Sequence, residues 1–224
     1  MSTLVFSDTH FGKKFHKRRF DALSKLISKS DKIIINGDFW EGLAISFGDF
    51  LASDWNKLFP LLKQKQTIYI YGNHDHQMYS DDRVYQFCNQ AVTEYTLETP
   101  LHKYLFRHGH EFLFPKHSEK CLREHMNQAG TRVRKFKLAV ANVIQQVGFG
   151  LFGPKILPSF INYISAQERQ SIGLPDQLLV CGHTHRPHAN KKTGFLDIGF
   201  FNFGWANYVE IDNTGNYKLV SNRY

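Results

Sequence analysis

The stretch Ile68-Tyr69-Ile70-Tyr71-Gly72-Asn73-His74-Asp75 decides how this chain is read. A short run of β-branched and aromatic residues stops at a glycine and hands over to polar side chains, which is how a buried strand ends in a loop. The pattern recurs four more times. Leu4-Val5-Phe6 precedes Asp8-Thr9-His10, and Ile33-Ile34-Ile35 precedes Gly37-Asp38. Tyr104-Leu105-Phe106 precedes His108-Gly109, and Leu178-Leu179-Val180 precedes Gly182-His183-Thr184-His185. Five strands would then deliver their polar ends to one edge of a sheet, where α/β folds usually place their sites.

Working outward, residues 2–8, 31–36 and 67–71 predict strands, separated by helices over about 18–29 and 51–65. That alternation favours parallel β-α-β crossovers. A helix is expected over 81–90, then paired strands near 92–98 and 101–108. Strands are expected again at 177–182, 195–200, 205–212 and 217–222, the last two joined by the turn Asp212-Asn213-Thr214-Gly215. This second half reads as antiparallel.

The region 115–175 breaks the pattern. From Leu122 to Val147 apolar residues recur at steps of four and three, a helical stripe, and a second short helix is expected near 158–170. Between Lys116 and Lys137, seven basic residues (Lys116, Lys120, Arg123, Arg132, Arg134, Lys135, Lys137) face two acids (Glu119, Glu124). Glycines, prolines and Lys155 argue against a spanning helix in the apolar stretch 138–164. Two readings stand for this insertion: a helical hairpin that caps the site, or ordinary packing on the sheet.

The chain has 224 residues, which suits one α/β domain over 1–224 with the insertion inside it. Its formal charge of +8 implies an anionic partner, whether nucleic acid, an anionic membrane surface or a phosphorylated small molecule. The three cysteines lack the spacing of a disulfide framework or a cysteine zinc site, which favours a reducing, cytoplasmic setting. Asp8 and His10 sit too early for a cleaved leader to precede them.

Seven side chains read as metal ligands: Asp8, His10, Asp38, Asn73, His108, His183 and His185. Seven exceed what one tetrahedral ion takes and suit two ions sharing a bridge. Asp38 is the natural bridge, because a carboxylate offers one oxygen to each ion and an imidazole cannot. Oxygen and imidazole donors without thiolate favour Mn first, with Fe or Zn as alternatives. Two such ions about 4 Å apart can hold a bridging hydroxide and clamp a phosphoryl group for in-line attack. His74 is placed to protonate or stabilise the leaving oxygen, with Asp75 to hold its ring charged.

In the order D-x-H, G-D, G-N-H-D, H-G and G-H-x-H, these motifs resemble those of the calcineurin-like metallophosphoesterases, from Asp8 to His185. The resemblance implies a four-layer α-β-β-α sandwich of two mixed sheets, with a helical lid insertion. It implies one metal on Asp8, His10, Asp38 and His185, a second on Asp38, Asn73, His108 and His183, and His74 as acid. His110 is then a neighbour of ligand His108. More narrowly, Gly182-His183-Thr184-His185-Arg186-Pro187 with the preceding insertion is similar to UDP-2,3-diacylglucosamine pyrophosphohydrolases, although the chain carries His74 where well-known members have arginine.

The reading is therefore a binuclear metal-dependent phosphohydrolase acting on a phosphate ester or pyrophosphate, lipid-linked or nucleotide-linked. Lys13, Lys14, Arg132, Arg134 and Arg186 are the basic side chains expected to meet substrate, although the run from Lys13 to Arg19 also reads as a solvated helix start. Peripheral contact of the lid with the inner membrane surface is a further expectation. A nuclease and a non-catalytic scaffold on the same metal fold are the competing readings.

Overall fold

A computed structural model describes residues 2–112, 140, 147–149, 153, 159–172, 174 and 176–224. The strands are β1 (Thr3–Phe6), β2 (Lys32–Asn36), β3 (Ile68–Ile70), β4 (Gln90–Val92), β5 (Glu94–Glu98) and β6 (Lys103–Arg107). They continue as β7 (Gln177–Cys181), β8 (His188–Asn190), β9 (Phe195–Asp197), β10 (Phe201–Asn202), β11 (Trp205–Ile211) and β12 (Tyr217–Arg223). The α-helices are α1 (Lys17–Lys29), α2 (Phe47–Leu51), α3 (Phe59–Gln64) and α4 (Ser159–Ser171).

The strands form two sheets. The first runs β10-β11-β1-β2-β3-β4, with β12 also paired to β11. The second runs β5-β6-β7-β9-β8. In the first, β1 to β4 are mutually parallel and β11 is antiparallel to β1. In the second, β6, β7 and β9 are parallel, while β5 and β8 are antiparallel to their neighbours. Both sheets are mixed, so the expected antiparallel second half is corrected. The long connection between β6 and β7 is what a parallel crossover needs.

Side-chain alternation builds the layers. Val5, Ile34, Tyr104, Phe106 and Val180 point into the space between the sheets, where they pack with Leu196, Ile198, Val209 and Ile211. Their neighbours point outward. Leu4, Phe6, Ile33 and Ile35 meet Leu23 and Ile27 of α1 together with Phe50 and Trp55. Leu105, Leu179 and Cys181 meet Ile164 of α4. The result is the expected α-β-β-α sandwich. Strands buried on both faces explain why their sequences are continuously apolar rather than alternating.

Two expectations along the chain change. The helix expected over 51–65 is α2, a 3-10 turn over Asp54–Leu58, and α3. A reciprocal capping box between Ser46 and Asp49 starts the first piece early, and Pro60 sits in the opening turn of the last, where its missing N–H costs nothing. The helix expected over 81–90 shrinks to a 3-10 turn over Asp82–Gln86, because Gln90–Val92 pairs with β3 instead. The short helix expected near 158–170 is α4, which supplies the outer layer of the second sheet, as the packing reading of the insertion had it. All seven basic residues between Lys116 and Lys137, including Arg132 and Arg134, lie outside the described residues. Val140 and Val147 are exposed. No described helix is long and apolar enough to cross a membrane.

Candidate metal centre

The five polar clusters leave the carboxyl ends of β1, β2 and β3 in one sheet and of β6 and β7 in the other. They meet at one end of the sandwich, so the site spans two sheet edges rather than one. Asp8, His10, Asp38, His183 and His185 all adopt left-handed backbone angles, with φ between +46° and +70°. Such angles are uncommon for residues with a side chain and mark stored local strain. Hydrogen bonds hold them: Asp8 N–H donates to Gly37 O at 3.1 Å, and His10 N–H to Asp38 O at 2.9 Å.

Each carboxylate is aimed by one of its oxygens. Asp8 Oδ2 accepts from His183 N–H at 3.1 Å, which leaves Oδ1 at 3.2 Å from His185 Nε2 and 3.8 Å from His10 Nε2. Asp38 Oδ1 accepts from His74 N–H at 2.8 Å, which leaves Oδ2 at 3.3 Å from His108 Nε2 and 3.7 Å from His10 Nε2. Asn73 Oδ1 lies 3.2 Å from His108 Nε2, and His10 Nε2 lies 3.1 Å from His185 Nε2. The ligand atoms of Asp8, His10 and His185 lie within 4.8 Å of one another, as do those of Asp38, His108 and His183.

Two glycines are there to make room. A Cβ on Gly72 would collide with the Asp38 carboxylate, and one on Gly182 would come within 2.6 Å of Asp8 Oδ2.

This donor set fits divalent cations. Two carboxylates buried to within 1% of full cover converge with imidazole nitrogens, and buried charges need a partner or a metal. Burial opposes ionisation of Asp38, yet His108 and His74 hold its carboxyl well below the usual range, and His108 and His185 lower Asp8 in the same way. Burial and the charge of His108 push His183 well down, so it offers a neutral ring nitrogen.

The sequence reading missed Glu41. Its Oε1 lies 2.8 Å from His74 Nδ1 and its Oε2 lies 3.2 Å from His10 Nδ1. Burial disfavours a charged His74, but the carboxylates of Glu41 and Asp38 outweigh it and raise the ring to about 9. Asp75, expected to hold that ring, does something else. It accepts from the N–H groups of Asp38 at 3.0 Å, Phe39 at 2.6 Å and Gly72 at 2.7 Å. Asp75 thus ties the loop after β2 to the loop after β3, because three backbone donors already occupy both its oxygens. The available signal for Glu41 was a carboxylate three residues past Asp38 in Gly37-Asp38-Phe39-Trp40-Glu41.

The remaining expected residues divide. Lys13 and Lys14 are exposed. Arg19, grouped with them as a solvated residue, is 4% exposed instead. It donates to Thr9 O at 2.9 Å and lies 4.7 Å from the ring centres of Phe11 and Trp55. Arg186 lines a 390 Å³ concavity with His188 and Ser221. His110 Nδ1 lies 3.5 Å from Glu111 Oε2, and its ring lies 5.6 Å from that of His108. Beside His185, the buried rings of Phe200 and Phe149 stack at 4.4 Å, with Phe203 packed against both.

A double-sheet sandwich with paired histidine and carboxylate clusters at one end is the scaffold of a metal-dependent phosphohydrolase. The chain belongs to the calcineurin-like phosphoesterase family, whose model matches residues 1–187. Among solved structures it is similar to an archaeal phosphodiesterase, at 14% identity over 99% of both chains and a TM-score of 0.51. It is also similar to the E. coli phosphoesterase Yfce, at 18% identity over 95% of this chain and 89% of that one, with a TM-score of 0.46. The zinc complex of Vps29 from Entamoeba histolytica aligns at 14% identity over 100% and 99%, with a TM-score of 0.47. These likenesses concern the fold. No curated protein matches the chain.

Proposed function

We propose that the centre holds two divalent cations, one among Asp8, His10, Asp38 and His185, the other among Asp38, Asn73, His108 and His183. The observation that carries this reading is Asp38 Oδ2, a single oxygen facing His108 Nε2 at 3.3 Å and His10 Nε2 at 3.7 Å. The thiolate-free donors favour Mn, ahead of Fe or Zn. When bound, such ions supply Lewis acidity and a water-derived nucleophile at neutral pH.

The chain's own groups supply the rest. With Nδ1 committed to Glu41, His74 keeps its proton on Nε2 for the leaving oxygen of a phosphate ester or pyrophosphate. Lys13, Lys14 and Arg186 offer charge at the rim. The basic and apolar insertion together with Gly182-His183-Thr184-His185-Arg186-Pro187 supports a substrate with an apolar part, a lipid-linked or nucleotide-linked pyrophosphate such as UDP-2,3-diacylglucosamine. The basic segment 116–137 suits peripheral contact with an anionic membrane.

The test is Mn-dependent turnover of an aryl phosphomonoester, an aryl phosphodiester and an acylated UDP-sugar side by side, with Asp38→Ala and His74→Ala as controls. Selective cleavage of the acylated substrate supports the lipid-linked reading, and cleavage of the aryl esters alone removes it. Full activity in either variant overturns the mechanism.

A further inference from the structure

Two buried amides that are not in the ligand set grip the ends of β6 and β7 from opposite faces. Asn36, the last residue of β2, donates through Nδ2 to Arg107 O at 3.1 Å and Val180 O at 3.2 Å. Gln167 of α4 donates through Nε2 to Gly109 O and Gly182 O, each at 3.3 Å. Both side chains are fully buried. An amide NH2 has two hydrogens, and here each meets one carbonyl, so the donors are used up and the acceptors settle which way each amide points.

The four carbonyls are placed where ligand geometry is decided. Those of Arg107 and Gly109 bracket His108, and those of Val180 and Gly182 lead directly into His183. The two strands also touch through Gly182 N–H to His108 O at 3.0 Å. Asn36 adds a second hold, because its own carbonyl lies 2.8 Å from His108 Nδ1, accepts from it, and so turns Nε2 toward Asp38 and Asn73. Asn36 reaches across from the first sheet, while Gln167 comes from the helix layer behind the second. Asp8, His10 and His185 have holds of their own nearby: Arg19 at Thr9 O, and, on the loop that His185 shares with His183, Asp197, whose Oδ2 accepts from Thr184 Oγ1 at 2.7 Å.

We propose that Asn36 and Gln167 are positioning residues that set the spacing of His108 and His183. They thereby tune the cation affinity of the Asp38, Asn73, His108 and His183 half of the centre, and act less on the other half, which they reach only through His183 N–H on Asp8 and the shared Asp38. The inference rests on the two-cation reading above. Metal–ligand distances tolerate shifts of only about 0.2 Å, so loosening a carbonyl beside a ligand is felt at the ion.

The experiment is a calorimetric titration of Mn2+ into the metal-free full chain as wild type, Gln167→Met, His108→Ala and the double variant, with metal-free melting run alongside. Two binding events are expected in the wild type. In Gln167→Met one of them should weaken by about 10- to 100-fold, and it should be the event that His108→Ala abolishes. The double variant should then bind its remaining ion as His108→Ala does. Two wild-type events in Gln167→Met overturn the proposal, and so does equal weakening of both. A wild type that takes up no Mn2+ overturns the two-cation reading instead. If Gln167→Met precipitates, Gln167→Asn keeps the NH2 group but falls short of both carbonyls, and is read in the same way.

Discussion

Glu41 Oε1 lies 2.8 Å from His74 Nδ1, and its other oxygen lies 3.2 Å from His10 Nδ1. One carboxylate therefore orients a ring on the candidate metal edge and the ring that would serve the leaving group. Replacing Glu41 by Gln keeps the shape and removes the charge. The expected result is a fall in kcat of about 10-fold or more with KM little changed. His74→Ala should lose about 10²- to 10⁴-fold. Because Glu41 serves the leaving group through the His74 ring, the double variant should lose less than the two single losses combined, and what it loses beyond His74→Ala reports the hold on His10. Steady-state kinetics on the best substrate decides it, and independent, additive losses would break the link.

Gly72 and Gly182 are expected to resist even alanine. A methyl group on Gly72 meets the Asp38 carboxylate, and one on Gly182 meets Asp8 Oδ2 at 2.6 Å. Gly12, with nothing within 4 Å of its would-be Cβ, is the control. Elemental analysis of the purified variants should find metal content reduced in Gly72→Ala and Gly182→Ala and intact in Gly12→Ala. Equal content in all three would mean that the carboxylates can move aside.

Metal should stabilise the fold as well as activate it. Each cation bound only by the native state, at a hundred-fold excess over its Kd, contributes about 2.7 kcal/mol. For a chain of this size that raises Tm by about 5 to 10 °C per site. A chelated sample retitrated with Mn, Zn, Mg and Ca in a thermal melt measures this directly. Mn or Zn should shift Tm most, since imidazole-rich sites suit them better than Mg or Ca.

Arg19 is a structural cation. Its guanidinium bonds Thr9 O and Asn202 Oδ1 beside the stacked pair Phe11 and Trp55, and burial lowers it to about 10. Arg19→Ala strands those oxygens and empties the slot, with an expected loss of about 2 to 4 kcal/mol in urea unfolding. Arg19→Lys should recover only part of it, because an ammonium lacks the planar fork that meets both oxygens while lying against the rings. A loss of a few tenths would mean that the guanidinium is dispensable.

Much of the fold was legible before any coordinates. The five clusters follow strands because an apolar run closed by Gly or Asp has little choice of local structure. Helix α1 runs from Lys17 to Lys29, close to the expected 18–29, because its inward residues recur at helical spacing. Where reading failed, long-range pairing or a local cap overrode the pattern: Gln90–Val92 joined β3, and Ser46 with Pro60 broke one helix into pieces. Strands β8 and β10 were too short, at 3 and 2 residues, to leave a periodic trace.

The sequence by itself determined the chemistry on offer: oxygen and imidazole donors, their order, and their position at strand ends, because these are properties of short segments. Tertiary structure alone decided the partnerships. It turned Asp75 to the backbone and Glu41 to His74, buried Arg19 against the Phe11 and Trp55 rings, and brought Asn36 and Gln167 to the carbonyls around His108 and His183. Which groups meet depends on how two sheets and their helices pack across distant parts of the chain, and local residue patterns carry no record of that distance.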